Sequence, residues 1–419
     1  MTHLTEADRI YGIALSKIRE MENFSDEKMR EGKPVIHLGI GEPDFPTPRH
    51  ISEAARKALE EGETHYAPTS DTPSLRQAVS DNYFRRFGIR YDPDSEVLIT
   101  QGVTQGLYLV SMTFLNSGDE VLMPDPGYLC YSADTRVAQA KPVSFKLNET
   151  DGYQIAPGAL DALITPKTKA IFINSPSNPC GSVLNRNSLE EIARIAVKYD
   201  LFVFSDEVYA GIVYDGAEYA SIASLPGMRE RTIVLGGLSK YYAMTGWRVG
   251  YILCDRKFQE PLMRMNYYNL ACLSPFVQAA AVTALTADDT PSREMVQEYR
   301  RRRDYVYTAV NAIEGLSCQK PAGAFYMMAD VRRTGLRSDD FCRYILDNCC
   351  VALTPGNAFG EAGEGFVRIS YATSMENLRE AMERIGEAIK KLQKQSVITT
   401  VPPLQKRASD QLHASRPEE

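Results

Sequence analysis

Between residues 97 and 253 the chain repeats one pattern: a short apolar run, a turn-rich link, then a stretch of helical period. The apolar runs are Val97–Thr100, Glu120–Met123, Ala170–Ile173, Phe202–Ser205, Ile233–Leu235 and Val249–Leu253. Helical patterns such as Thr104–Leu115 and Leu189–Tyr199 lie between them. Continuous apolar runs are buried on both faces, and helical crossovers make their strands largely parallel. The fold class is therefore α/β, with functional loops expected at the carboxyl ends of the strands.

The C-terminal third reads differently. A long charged helix begins near Pro291, a good first-turn residue. Strand-like Ala324–Met328, a helix near Ser338–Asn348 and strand-like Val367–Ser370 follow. The last helix starts at Thr373, whose spacing to Glu376 fits a capping box. Leu378, Met382, Ile385, Ile389 and Leu392 form its apolar stripe. This mixture predicts a second, smaller α+β domain. The expected division is an N-terminal arm with part of the small domain (1–48), a large domain (49–290) and the small domain (291–394). A tail rich in Pro, Ser, Gln and charge (395–419) is expected to be disordered.

At 419 residues and 44% hydrophobic, the chain can bury a large core. A formal charge of −7 argues against nucleic acid or an anionic membrane as partner. The run Arg300–Arg303 alternates with Glu294, Glu298 and Asp304 and reads as a solvated helix face. No apolar run reaches membrane-spanning length, and the first residues are polar and acidic, unlike a secretion or transit signal. The eight cysteines are scattered, which predicts reduced thiols in a cytoplasmic protein. The five histidines form neither a metal-ligand pattern nor a nucleophile elbow, so no metal is expected.

Several chemistry-bearing residues follow the predicted strands. Lys240 comes just after the run Thr232–Leu235, and Arg248 lies eight residues further on. A lysine at a dry strand end can form a Schiff base, and an arginine can hold a phosphate. Gln101-Gly102-Val103-Thr104 leads from a strand into an apolar helix, where free N–H groups favour a phosphate; a plain tight turn is the alternative. Asp206 ends another strand, where a carboxylate needs a cationic partner such as a pyridinium N–H; a helix cap is the alternative. Asn178 sits in the shaped loop Asn174–Gly181, either as a donor or as an Asn-Pro turn. Tyr128 follows Pro126-Gly127 and is either a stacking ring or a core aromatic. Arg368 lies in an apolar strand and needs a carboxylate, from a substrate or from an internal salt bridge.

The set and its order resemble the fold-type I, class I/II pyridoxal-phosphate-dependent aminotransferases, and most nearly the bacterial and archaeal aspartate aminotransferase subgroup. The resemblance runs from Lys33 to Leu392. It rests on Gly41-Glu42-Pro43-Asp44-Phe45-Pro46-Thr47-Pro48, His65-Tyr66-Ala67-Pro68-Thr69-Ser70, Asn178-Pro179-Cys180-Gly181, Asp206-Glu207-Val208-Tyr209, Ser239-Lys240 with Met244-Thr245-Gly246-Trp247-Arg248, and Val367-Arg368-Ile369-Ser370. It implies a mostly parallel seven-stranded sheet in the large domain and pyridoxal 5'-phosphate as cofactor. Lys240 would carry the Schiff base, Asp206 would hold the pyridine nitrogen, and Tyr209 with Asn178 would bond the ring's phenolic oxygen. Tyr128 would stack on the ring. Gly102, Val103, Thr104 and Arg248 would bind the phosphate, joined by Tyr66 from a partner subunit, which implies a homodimer. Arg368 would grip the substrate carboxylate, with Asn178 and the Gly41 backbone beside it.

The expected reaction moves an amino group from an L-amino acid to a 2-oxo acid. Carbon–sulfur lysis, cyclopropane formation, racemisation and oxidation on the same fold are the alternatives. A non-catalytic relative would have lost Lys240 or Asp206, and a dinucleotide-binding dehydrogenase would need more than Gly39-Ile40-Gly41. Three positions depart from the pattern. Cys180 stands where threonine is usual, and Asp71 where glycine is frequent. Thr104 stands where some members of the subgroup carry a lysine for the distal carboxylate of aspartate, so an exclusive preference for aspartate is not expected.

Overall fold

The computed structural model describes residues 4–68 and 71–400, the side chains of 395–400 apart. Its centre is a seven-stranded sheet. In chain order the strands are β1 (Val97–Thr100), β2 (Glu120–Asp125), β3 (Lys141–Lys146), β4 (Thr168–Asn174), β5 (Phe202–Asp206), β6 (Thr232–Gly237) and β7 (Gly250–Leu253). Their spatial order is β1-β7-β6-β5-β4-β2-β3. All pairings from β6 to β3 are parallel, and β7 runs antiparallel to both its neighbours. Side chains of β4 alternate between the two faces. Ile171 and Ile173 pack in one apolar layer with Leu189 and Ile192, while Phe172 packs in the other with Leu107 and Phe204. Both faces are thus covered by helices, among them Gly102–Phe114 and Arg186–Lys198.

The C-terminal part forms a four-stranded antiparallel sheet, in the order Thr354–Pro355, Phe366–Ser370, Tyr326–Asp330, Ser317–Cys318. Near the N-terminus, Ile36–His37 pairs in parallel with Val351–Ala352. That pairing leads into the segment through Gly41, whose carbonyl Lys240 reaches from beyond the carboxyl end of β6.

Several expectations shift on contact with packing. The strand β3 was not anticipated: its pattern Lys-Pro-Val-Ser-Phe-Lys is mostly solvent-facing, as befits an edge strand. Ala324 adopts φ +54°, so the strand read from Ala324 begins at Tyr326. Ser374, not Thr373, caps the last helix, accepting the Asn377 N–H at 3.1 Å. That helix buries Leu378, Met382, Ile385 and Ile389 and runs on to Thr400, past the point where the tail was read to start. Residues 401–419 of the expected tail lie outside the described residues.

The reading of Arg300–Arg303 as a solvated face also fails for half the run. Arg302 is buried and grips both carboxylate oxygens of Asp44, at 2.8 and 2.9 Å. Arg303 is buried against Asp215 at 2.7 Å and the Pro321 carbonyl at 3.0 Å. Both partners come from loops remote in sequence, so the helix Thr290–Ala312 is bolted to them by paired, hydrogen-bonded charges.

Candidate active site

Loops at the carboxyl ends of β4, β5 and β6, with the helix after β1, converge on a cavity of about 390 Å³. Val103, Thr104, Asn178, Asp206, Lys240 and Arg248 line it. Tyr128, Tyr209, Arg368 and Gly41 lie at its wall as well, whereas Gly102 and Tyr66 of the expected set are not among its lining residues.

Lys240 follows β6 and points its Nζ at the Gly41 carbonyl, 2.6 Å away. Burial pulls its pKa down to about 8; Glu42 opposes the fall, and Arg368 and Arg248 add to it. At pH 7 a tenth or so of such a lysine is free amine, against ~0.03% for an ordinary one. The side chain is therefore a usable nucleophile and base.

Asp206 ends β5 and is 3% exposed. Its Oδ2 accepts the Tyr131 hydroxyl at 2.8 Å, and its Oδ1 accepts the Val208 N–H at 3.2 Å. Burial pushes its carboxyl up to about 6, against those two hydrogen bonds. No helix follows it, so the capping alternative does not apply. Among the described residues no lysine or arginine forms an ion pair with it. A buried carboxylate of this kind suits a positively charged ring nitrogen.

Arg368 occupies the strand Phe366–Ser370 and is 2% exposed. Its Nη1 donates to Asn178 Oδ1 at 2.9 Å and its Nη2 to the Gly39 carbonyl at 2.6 Å, while its Nε has no partner. The rings of Tyr326 and Phe359 lie 4.5 and 4.7 Å from the guanidinium carbon. Among the described residues no carboxylate reaches it, so the internal salt bridge is not formed. A buried cation without a counter-charge is prepared for an anion from solution.

Gly102 and Arg248 meet at the start of the helix after β1. Gly102 opens its helix at φ +77°, and a Cβ there would stand 2.6 Å from Arg248 Nη2. Only glycine lets the guanidinium come this close to a helix N-terminus, where free N–H groups already favour a phosphate. Arg248 is itself held by the Thr245 carbonyl at 2.9 Å.

The Tyr209 and Tyr326 hydroxyls share a 2.8 Å hydrogen bond. Tyr128 stands edge-on to Tyr131, with ring centroids 5.7 Å apart. Tyr66 is 87% exposed and lies outside this cavity in the single chain. The two other departures are structural as well: Cys180 is buried, and Asp71 takes φ +63° with a buried carboxylate that accepts from Leu273 N at 3.0 Å and Gln278 Nε2 at 2.7 Å. The sequence reading missed Tyr131, Tyr326 and the helix Lys17–Arg30, whose Ile18, Arg19 and Glu22 line the cavity. Tyr131 carried a faint signal, its helical spacing from Tyr128; the N-terminal helix carried none.

Comparison with known proteins places the chain in a family. The family described as Aminotransferase class I and II matches residues 33–385. An aromatic-amino-acid aminotransferase of Thermococcus litoralis is 43% identical over 92% of this chain and 98% of its own length. An aspartate aminotransferase of Pyrococcus abyssi is 42% identical over the same shares. The crystal structure of the aspartate aminotransferase from Rhizobium meliloti superposes with a TM-score of 0.89, at 36% identity, over 93% of this chain and 99% of that one. By sequence and by fold, the chain belongs to the class I and II aminotransferases, close to their bacterial and archaeal aspartate aminotransferase members.

Proposed function

We propose that this aminotransferase works with pyridoxal 5'-phosphate at Lys240, moving the amino group of an L-amino acid to a 2-oxo acid. The observation that carries the reading is one cavity holding a lysine of pKa about 8, a buried carboxylate without a cation and a buried arginine without an anion. When bound, the cofactor supplies an electron sink for negative charge at the substrate Cα.

The residues present suit that group. Asp206 would hold its ring nitrogen, Tyr209 and Asn178 its phenolic oxygen, and Tyr128 its ring face. Gly102, Val103, Thr104 and Arg248 would take its phosphate. Arg368, with Asn178 and the Gly41 backbone, would fix the substrate α-carboxylate and so aim the Cα–H bond. Lys240 Nζ would then take the Cα proton and return it one carbon away, as general base and then acid. The walls contributed by Tyr128 and Tyr326 would keep water from that proton.

In our reading the enzyme is a cytoplasmic homodimer, in which Tyr66 reaches the partner's phosphate site; its exposure in one chain supports this. Among the described residues no helix is long and apolar enough to cross a membrane. We read the chain as an N-terminal arm (1–48), a large domain (49–290) and a small domain (291–394), the arm and small domain joined by the pairing of Ile36 with Val351. Thr104 at the cavity wall leaves aspartate without its lysine partner, so aspartate should be one donor among several.

A panel of single half-reactions tests the reading. An amino acid alone should bleach the visible band of the loaded enzyme, and a 2-oxo acid alone should restore it. Turnover that releases ammonia, thiol or inverted amino acid without consuming a 2-oxo acid would refute transamination.

A further inference from the structure

We propose that Tyr326 is a positioning residue for the cofactor: its hydroxyl donates to the Tyr209 hydroxyl and so turns the Tyr209 hydrogen toward the phenolic oxygen of the bound ring. The inference rests on the pyridoxal phosphate reading above and gives a duty to a side chain that the reading leaves as a wall.

The two tyrosines differ in how firmly they are held. Tyr326 opens the inner strand Tyr326–Asp330 of the C-terminal sheet and pairs with Ser370 of the neighbouring strand. The same register places Arg368 diagonally across from it, with the guanidinium carbon 4.5 Å from the ring centroid. Tyr326 is buried, and its hydroxyl fills the space beside Gly41, where a Cβ would overlap it. Tyr209 sits instead in the turn after β5. There the Ala210 N–H donates to the Glu207 carbonyl at 2.9 Å, and the Ile212 N–H to the Tyr209 carbonyl at 2.8 Å. The Tyr209 ring meets that of Tyr326 edge-on, at 81° with centroids 5.6 Å apart. A side chain fixed on a paired strand is thus set to orient one carried by a loop.

The 2.8 Å bond between the two hydroxyls can run either way, and the surroundings decide its direction. Arg368 packs its charge against the Tyr326 ring, which makes that phenol the more acidic of the pair. Titration agrees: burial raises both hydroxyls above the ordinary tyrosine range, but Arg368 is the first influence to draw Tyr326 back, while Tyr209 stays well above it. Tyr326 is therefore the donor and Tyr209 the acceptor. Among the described residues neither hydroxyl has another hydrogen-bond partner. A phenol hydrogen lies near the plane of its ring, on one side of the oxygen or the other. With the Tyr326 O–H arriving on one side, the hydrogen of Tyr209 is left for the cavity, which both rings line beside Asn178 and Lys240. A hydroxyl that accepts a hydrogen bond also donates more strongly, so Tyr326 both aims and strengthens the Tyr209 donor.

The test compares wild type, Tyr326→Phe, Tyr209→Phe and the double variant, each titrated with pyridoxal 5'-phosphate and then with pH. Phenylalanine keeps the ring of Tyr326 against Arg368 and removes only the oxygen. A donor to the phenolic oxygen stabilises negative charge there. Weakening it makes the proton near that oxygen harder to remove, and so raises the pH at which the visible band of the loaded enzyme gives way to a near-ultraviolet one. For one neutral hydrogen bond, Tyr326→Phe should raise that midpoint by ~0.4–1 unit and weaken cofactor uptake by the ligand-free enzyme ~2- to 10-fold. Tyr209→Phe should do at least as much, and adding Tyr326→Phe to it should change neither quantity further. An unmoved midpoint in Tyr326→Phe, a loss of affinity without a shift, or an undiminished shift in the Tyr209→Phe background would overturn this inference alone. A wild type that takes up no pyridoxal 5'-phosphate would overturn the reading beneath it, and this inference with it.

Discussion

Removing one hydroxyl, by Tyr131→Phe, should change how tightly and at what pH the enzyme binds its cofactor. The ring of Tyr131 stacks on Phe172 with centroids 5.0 Å apart and planes 9° apart, and phenylalanine keeps that packing. What is lost is the 2.8 Å hydrogen bond to Asp206 Oδ2, the strongest influence holding that buried carboxyl down. A hydrogen bond to a charged group is worth ~1.5–3 kcal/mol, and ~1.4 kcal/mol moves a pKa by one unit. The Asp206 carboxyl of the ligand-free enzyme, now at about 6, should rise by ~1–2 units. At pH 7 it is then ~10–50% ionised instead of ~90%, which weakens binding of a positively charged ring roughly 2- to 10-fold. Titrating ligand-free wild type and variant with pyridoxal 5'-phosphate from pH 5 to 9 isolates the effect, because the cofactor's own ionisation is common to both. The affinity of the variant should fall away at higher pH than that of the wild type. Superimposable profiles would refute the role given to Tyr131.

Two further perturbations follow from the same geometry. Asp206→Asn should abolish activity yet stabilise the ligand-free protein. The folded carboxyl titrates at about 6, above its unfolded value, so the protein loses stability as pH rises from ~4 to ~6, a penalty of about 3 kcal/mol that persists at neutral pH and that asparagine escapes. Melting curves at pH 4 and pH 7.5 should therefore show the gain mainly at the higher pH. Gly102→Ala places a Cβ against Arg248 at a left-handed backbone position; it should cost about 1–2 kcal/mol of stability and weaken phosphate binding, seen as parallel losses in melting temperature and cofactor affinity.

The sheet and most of the site were legible in the sequence because each key residue follows a strand whose apolar run is unmistakable. Lys240, Asp206 and Asn178 inherit their positions from β6, β5 and β4, and the parallel order brings those ends together. Less legible were groups whose partners are remote in sequence. Arg302 looks like a surface charge until Asp44, more than two hundred residues away, is placed beside it. Tyr131 and Tyr326 read as ordinary core rings, since nothing local shows that their hydroxyls meet Asp206 and Tyr209. Arg19 and Glu22 look like any solvated helical pair, and only the fold brings their helix over the cavity. The edge strand β3 escaped because its side chains face water more than core.

The account depends most on Lys240 as the attachment point. Loading the enzyme with pyridoxal 5'-phosphate, reducing it with borohydride and mapping its peptides tests this directly. The account predicts one pyridoxyl group, on Lys240, absent from Lys240→Ala. A label on another lysine, or none in a protein that still transaminates, would contradict it.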